Sequence, residues 1–224
     1  MEIPYIVRNH ESNREFNRAF TLREMNLSLS HTHIEHSEYS PELWDIETML
    51  FSDFLDKHIM KHDHKTLDEI LVTNHLYDYR MLITSTARTF GYLTRTHSCS
   101  NMKQEGDDKI FHNFMVEAKG AGLNFNSHGE MHYQLVSGKK VFLFLRDIED
   151  LEGIHGPRSS ISVNILELLA LRSIKTCVLN PGDIIRIPQF MWYATFNMET
   201  SISSSCNLNV REAKRNLLSP RWRI

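Results

Sequence analysis

Residues 182–197 read Gly182-Asp183-Ile184-Ile185-Arg186-Ile187-Pro188-Gln189-Phe190-Met191-Trp192-Tyr193-Ala194-Thr195-Phe196-Asn197. Pro181-Gly182-Asp183 is a turn, because proline presets one backbone angle and glycine accepts the left-handed one. The β-branched and aromatic runs at 184–187 and 192–196 are then two short strands, and 201–208 is the last strand of the chain. Working outward, 176–179 is a strand, preceded by one buried helical segment at Ile165-Leu166-Glu167-Leu168-Leu169. Further upstream, 80–84 and 110–116 read as strands on either side of a polar loop at 96–108. Three successive short strands follow at 122–126, 131–136 and 139–145, with turns at His128-Gly129 and Ser137-Gly138. Short strands at regular spacing, joined by Gly and Pro turns, build a small barrel or sandwich.

The N-terminal part reads differently. Ser40-Pro41-Glu42 is a helix start, with a capping serine and a proline at the first helical position. Leu43, Ile46, Leu50, Phe51, Phe54 and Leu55 then recur at spacings of three and four, an apolar stripe that predicts a helix to about Ile59. Thr66-Leu67-Asp68-Glu69 is a capping box ahead of a short helix through Ile70 and Leu71. The sequence therefore predicts a mainly β protein with α, as one domain over 1–224. Residues 1–95 form a mostly helical section, 96–210 the barrel and 211–224 a basic helix or tail. Arg211, Lys214, Arg215, Arg221 and Arg223 make that tail basic, which suits a solvated end or a contact with an acidic partner or nucleic acid.

With 224 residues, 41% hydrophobic and 24% charged, and a formal net charge of −3, the chain reads as an ordinary globular protein. A near-neutral charge gives no electrostatic footprint for nucleic acid, and no apolar run reaches the ~18 residues of a membrane helix. Residues 1–8 lack a basic region followed by an apolar stretch, so no secretory signal is expected. Cys99, Cys177 and Cys206 are far apart with no CxxC pair, which predicts reduced thiols and a cytoplasmic location. Thirteen histidines invite a metal hypothesis. His31, His33 and His36, and His58, His62 and His64, form two local clusters, and His58 and His62 share a helix face at i, i+4. No cysteine accompanies either, and solvated or capping histidines are expected.

The stretch at 182–197 resembles the second sequence motif of the cupin superfamily, Gly-x5-Pro-x-Gly-x2-His-x3-Asn, at every spacing. Gly182, Pro188 and Asn197 match; Phe190 replaces a glycine and Tyr193 stands where the family has a metal-binding histidine. Leu179-Asn180-Pro181-Gly182-Asp183, Ile187-Pro188, Trp192 and Ser201-Ile202-Ser203 are similar, more narrowly, to the JmjC branch. Upstream, Gly120 followed after five residues by Asn126-Ser127-His128 has the spacing of the first cupin motif. Phe125-Asn126-Ser127-His128-Gly129 is similar to the Phe-His-x-His-Gly of one JmjC subgroup, and Gly138-Lys139-Lys140-Val141-Phe142-Leu143-Phe144 to the JmjC Gly-Arg-Lys-Arg-Trp-x-Leu segment. The resemblance covers roughly 110–210.

It implies a double-stranded β-helix, a cupin/JmjC-like jelly roll, whose mouth holds Fe(II) between two histidines and a carboxylate, with 2-oxoglutarate alongside. Position by position, the implied metal ligands are Asn126, His128 and Tyr193, with His128 and Tyr193 the catalytic residues. A neutral amide binds metal weakly, and a phenol must lose its proton first. Glu130 offers a substitute carboxylate through His128-x-Glu130, with Tyr193 or His132 completing the set. A register slipped by one puts Phe125 and Ser127 there, which suits metal less. Lys140 is the implied partner of the distal carboxylate of 2-oxoglutarate, and Ser203 and Asn207 on the last strand are the other cofactor-lining residues. Trp192 packs beside the third ligand or walls the ligand site.

Two functions follow. One is a divergent non-haem Fe(II)/2-oxoglutarate-dependent oxygenase, a hydroxylase of a small molecule or a protein side chain. The other is a metal-free descendant that binds a ligand, performs acid–base chemistry or mediates assembly. The oligomeric state is open, with a homodimer among the options.

Overall fold

The computed structural model describes residues 3–8, 21–39, 44–60, 66, 79–84, 109–122, 125, 127, 129–145 and 169–209. Runs such as Met131-His132-Tyr133-Gln134-Leu135-Val136 and Ile184-Ile185-Arg186-Ile187, rich in residues that suit a pleated surface, form the strands. In chain order these are β1 (Tyr5–Val7), β2 (His33–Tyr39), β3 (Trp44–Leu50), β4 (Tyr79–Thr84), β5 (Lys109–Glu117) and β6 (Met131–Ser137). They continue as β7 (Lys140–Leu145), β8 (Lys175–Leu179), β9 (Ile184–Ile187), β10 (Trp192–Asn197) and β11 (Ser201–Asn209).

Among the described residues, eight strands form one sheet in the order β1-β9-β6-β11-β5-β4-β2-β3, and three form a second in the order β10-β7-β8. All pairings are antiparallel. From β6 onward the chain passes from the large sheet to the small (β7, β8), back to the large (β9), to the small (β10) and to the large again (β11). That is the winding of the expected jelly roll. The two sheets meet through aromatic rings. Phe142 on β7 stands edge-on to Tyr133 on β6 at 5.0 Å and stacks on Tyr193 of β10 at 6.2 Å. Leu135, Phe142, Leu179, Ile185, Ile187 and Ile202 are buried around them, so area removed from water supplies the main driving force.

The strands expected from the sequence at 80–84, 110–116, 131–136, 139–145, 176–179, 184–187, 192–196 and 201–208 are all present within a residue or two. Three expectations are corrected. Where a helix is expected from Ser40 to Ile59, the described residues form strand β3 from Trp44 to Leu50 and are helical only at α2 (Phe51–Phe54) and the π-helical turn Leu55–Met60. Trp44-Asp45-Ile46-Glu47 alternates apolar and polar, and β2 lies alongside as a pairing partner, so tertiary pairing overrides the three-four spacing. Beyond Leu50 the helical spacing holds: Phe51, Phe54, Leu55 and Ile59 are all buried. Among the described residues of 1–95 there are strands β1 to β4 beside the helical turns at 51–60, together with helix α1 (Leu22–Leu29), which Thr21 caps by accepting from the Glu24 amide. Second, Gly122 and Phe125, the described residues of the strand expected at 122–126, lie in no strand. Third, Cys206 is disulfide-bonded, against the expectation of reduced thiols, while Cys177 is free. The helices expected after Thr66 and at 211–223, and the start of the one at 165–169, lie outside the described residues. Among the described residues no helix is long and apolar enough to cross a membrane.

Candidate functional site

The motif glycines and their neighbours shape the backbone. Gly120 and Gly182 have φ of +84° and +91°, and Phe190, which stands at a glycine position of the motif, holds φ +63°. The left-handed turn has therefore survived the loss of its glycine, at a steric cost that an L side chain carries. Asn197 fastens the two motifs together. Its backbone amide donates to Ala121 O at 2.8 Å, its carbonyl accepts from the Gly120 amide at 2.9 Å, and its side-chain Nδ2 donates to Ala118 O at 3.3 Å. Asp183 is buried in its turn, accepting from the Asn180 amide at 2.9 Å and from Arg8 at 2.5 Å.

Inside the barrel lies a polar cluster in an apolar setting. Lys140 opens β7, between Asn197 of β10 and Leu179 of β8. It is fully buried, and its ammonium donates to Glu117 Oε2 and, at 2.7 Å, to the Tyr133 hydroxyl. Tyr133 Oη and Ser203 Oγ each lie 3.5 Å from the same carboxylate oxygen. Ser201, opposite Glu117 in the β5–β11 register, stands 3.5 Å from it and 2.9 Å from Asn197 Oδ1, which takes its proton by the shorter contact. The Lys140 ammonium also sits 5.0 Å from the Tyr133 ring centroid. Burial pulls the Lys140 pKa down, and the Glu117 charge and hydrogen bond push it back up. Glu117 Oε1 is buried without a described partner.

Tyr193 lies in the same interior. It is buried on β10, its ring against Phe142 and its hydroxyl 3.5 Å from Met131 Sδ. Burial raises its pKa, so its ionised form is disfavoured. The structure thus brings Lys140, Ser203 and Tyr193 into one interior, linked through Tyr133 and Phe142. It places Glu130 elsewhere. That carboxylate is gripped by Arg186 of β9, at 2.7 and 3.0 Å, and by His132 at 3.0 Å. The Arg186 hydrogen bonds hold Glu130 below the usual carboxylate range, against the opposing effect of burial, with His132 adding to the lowering. Arg186 in turn sits 5.8 Å from the ring centroid of Tyr5. Asn126 and His128 lie outside the described residues; the backbone of Asn207 pairs with Phe111 and Met131 in the large sheet. Trp192 is half-buried at the start of β10.

Sequence reasoning missed Glu117, Tyr133 and Ser201. Glu117 ends the apolar run Phe114-Met115-Val116, where an acid reads as a solvated strand end. Of the histidine clusters, His31 and His33 are exposed, and His58 lies against Phe54 with 5.7 Å between ring centroids. Among the described residues no group of three or more His, Cys, Asp or Glu is arranged to hold a metal ion. His62 and His64 lie outside them.

The family resemblance implies iron and 2-oxoglutarate in this interior. Of the three implied ligand positions only Tyr193 is among the described residues; it carries a buried phenol 3.5 Å from a thioether, and the lysine implied for the co-substrate already carries a carboxylate. These two described positions do not fit the pair of cofactors.

No protein-family model matches the chain. JmjC domain-containing protein 8 of Mus musculus is 27% identical over 94 residues, 41% of this chain and 35% of that protein. Among solved structures, YcfD, a ribosomal oxygenase from Escherichia coli, is similar in its complex with cobalt and 2-oxoglutarate, with a TM-score of 0.54 at 9% identity, over 97% of this chain and 51% of that one. Its complex with cobalt and succinic acid gives a TM-score of 0.53 at 11% identity, over 96% and 50%. The chain spans about half the length of the YcfD chain and about a third of the mouse protein. At these identities the likeness to YcfD is one of fold.

Proposed function

We propose that the chain, which shares the fold of a ribosomal oxygenase, is a divergent member of the JmjC branch of the cupins whose barrel binds a ligand without iron chemistry. The observation that carries this reading is the Tyr193 hydroxyl, buried and directed at Met131 where the family places an imidazole on the metal. A phenol in such surroundings keeps its proton, and an asparagine at position 126 adds only a weak neutral donor. Asn126, His128 and Tyr193 then line the ligand site and donate or accept hydrogen bonds, with His128 able to exchange a proton near neutral pH. The likeness to a ribosomal oxygenase supports a peptide or protein segment as the ligand, with a small molecule as the other class. The disulfide at Cys206 supports an oxidising compartment over the cytoplasm that the cysteine spacing suggested.

A second reading has its own support. YcfD holds cobalt together with 2-oxoglutarate or succinate in the similar fold, and the motif spacing here is intact. It is the divergent Fe(II)/2-oxoglutarate hydroxylase, with His128, Asn126 or Glu130, and Tyr193 on the metal, and Lys140, Ser203 and Asn207 on the co-substrate. Metal analysis of untagged protein, followed by anaerobic Fe(II) titration, separates the two. The first reading predicts substoichiometric metal and no saturable Fe(II) binding. Stoichiometric iron that is lost in His128→Ala establishes the second.

A further inference from the structure

The surroundings of Glu117 have the make-up of a carboxylate receptor. An ammonium from β7, a phenol hydroxyl from β6 and a serine hydroxyl from β11 converge on one oxygen of a carboxylate that comes from a fourth strand, β5. Lys140 and Glu117 are both at 0% exposure. A buried ammonium is tolerated only when one anion balances it, and a second anion at the same cation would add like-charge repulsion in a medium that screens it poorly. Occupancy by Glu117 and occupancy by any other carboxylate are therefore mutually exclusive.

We infer that Glu117 is the built-in occupant of a carboxylate-binding site on Lys140, Tyr133 and Ser203, so that the chain itself fills the place an external carboxylate would take. The ligand class excluded from the native protein is a small carboxylate, or the carboxylate end of a dicarboxylate such as 2-oxoglutarate. This deepens the reading above for the same barrel interior, but rests on different residues. Iron in the protein would overturn that reading alone; an external carboxylate on Lys140 would overturn this one.

The test removes the occupant. Glu117→Ala deletes a carboxylate and one methylene, about the volume of acetate, while leaving Lys140 in place. Melting temperature is followed with sodium acetate, against sodium chloride at equal ionic strength. Glu117→Ala melts lower than the native chain and recovers with acetate, by roughly 5–10 °C at a concentration about 100 times Kd. The native chain does not respond, and the response is absent from Glu117→Ala combined with Lys140→Met. In parallel, 2-oxoglutarate is titrated into the native full chain by ligand-observed NMR, which needs no variant to fold; no saturable binding is expected. Saturable 2-oxoglutarate binding that Lys140→Met abolishes overturns the inference. So does a folded Glu117→Ala variant indifferent to acetate, or one whose rescue does not need Lys140.

Discussion

Glu117 and Glu130 each hold a basic side chain, one at 0% exposure between the sheets and the other at 26% beside Arg186 and His132. The chemistry of the two contacts is alike, and the surroundings separate them. Glu130 and Arg186 keep part of their hydration, so either can lose the other and turn to water. Glu117 and Lys140 have no such retreat. Their attraction mainly offsets the cost of taking two charges out of water, and each is there because the other is. The peripheral pair is a modest clamp between the start of β6 and β9; the interior pair decides what else can enter the barrel.

The largest expected effect breaks the interior pair. Lys140→Met alone, or Glu117→Gln alone, leaves one buried group without its partner and lowers stability by about 3–5 kcal/mol in chemical denaturation. Glu117→Leu combined with Lys140→Met removes both and recovers most of that loss. If the double variant is as unstable as the singles, the pair is not a mutually compensating unit and the contrast with Glu130 fails.

A backbone change that touches neither pair sets the scale between them. Phe190 is exposed and left-handed, at φ +63°. Phe190→Gly relieves that strain and stabilises the fold by roughly 1 kcal/mol, read as a higher denaturation midpoint at unchanged slope.

Glu130→Gln gives a smaller loss, below about 1 kcal/mol at pH 7, because the pair is partly hydrated. Its pH dependence follows from the direction of the shift. The folded carboxyl titrates below its ordinary value of 4.5, so the stabilisation is complete above that value and disappears as pH falls through the lower, folded one. Denaturation curves of native and Glu130→Gln protein should therefore converge in acid. A gap that instead widens in acid would mean that Glu130 is not held by Arg186. The smallest effect is that of salt: 1 M sodium chloride should shrink the Glu130→Gln loss and leave the Lys140→Met loss unchanged.

The contrast also explains what the sequence made legible. Strands β5 to β11 announce themselves locally, through β-branched runs and turn residues such as Pro181-Gly182 and Ser137-Gly138, where Gly138 has φ +83° and an added Cβ would lie 2.2 Å from Thr200 O. Lys140 was legible as a residue of interest from its place after Gly138. Its partner was not, because the two are 23 residues apart and meet only once β5 and β7 lie in facing sheets. Strand β3 was misread for a related reason. Leu43, Ile46 and Leu50 satisfy helical spacing, and only the presence of β2 alongside decides for a strand. Asn126 and Tyr193 could be read as departures at ligand positions, yet that the tyrosine faces Met131 depends on β6 crossing it in the other sheet.

The most direct measurement is a crystal structure of the native chain soaked in 2-oxoglutarate. The account predicts the Glu117 carboxylate still on the Lys140 ammonium, with Tyr133 and Ser203 around it and no ligand density there. Glu117 swung away, with a carboxylate of 2-oxoglutarate on Lys140 in its place, would contradict it.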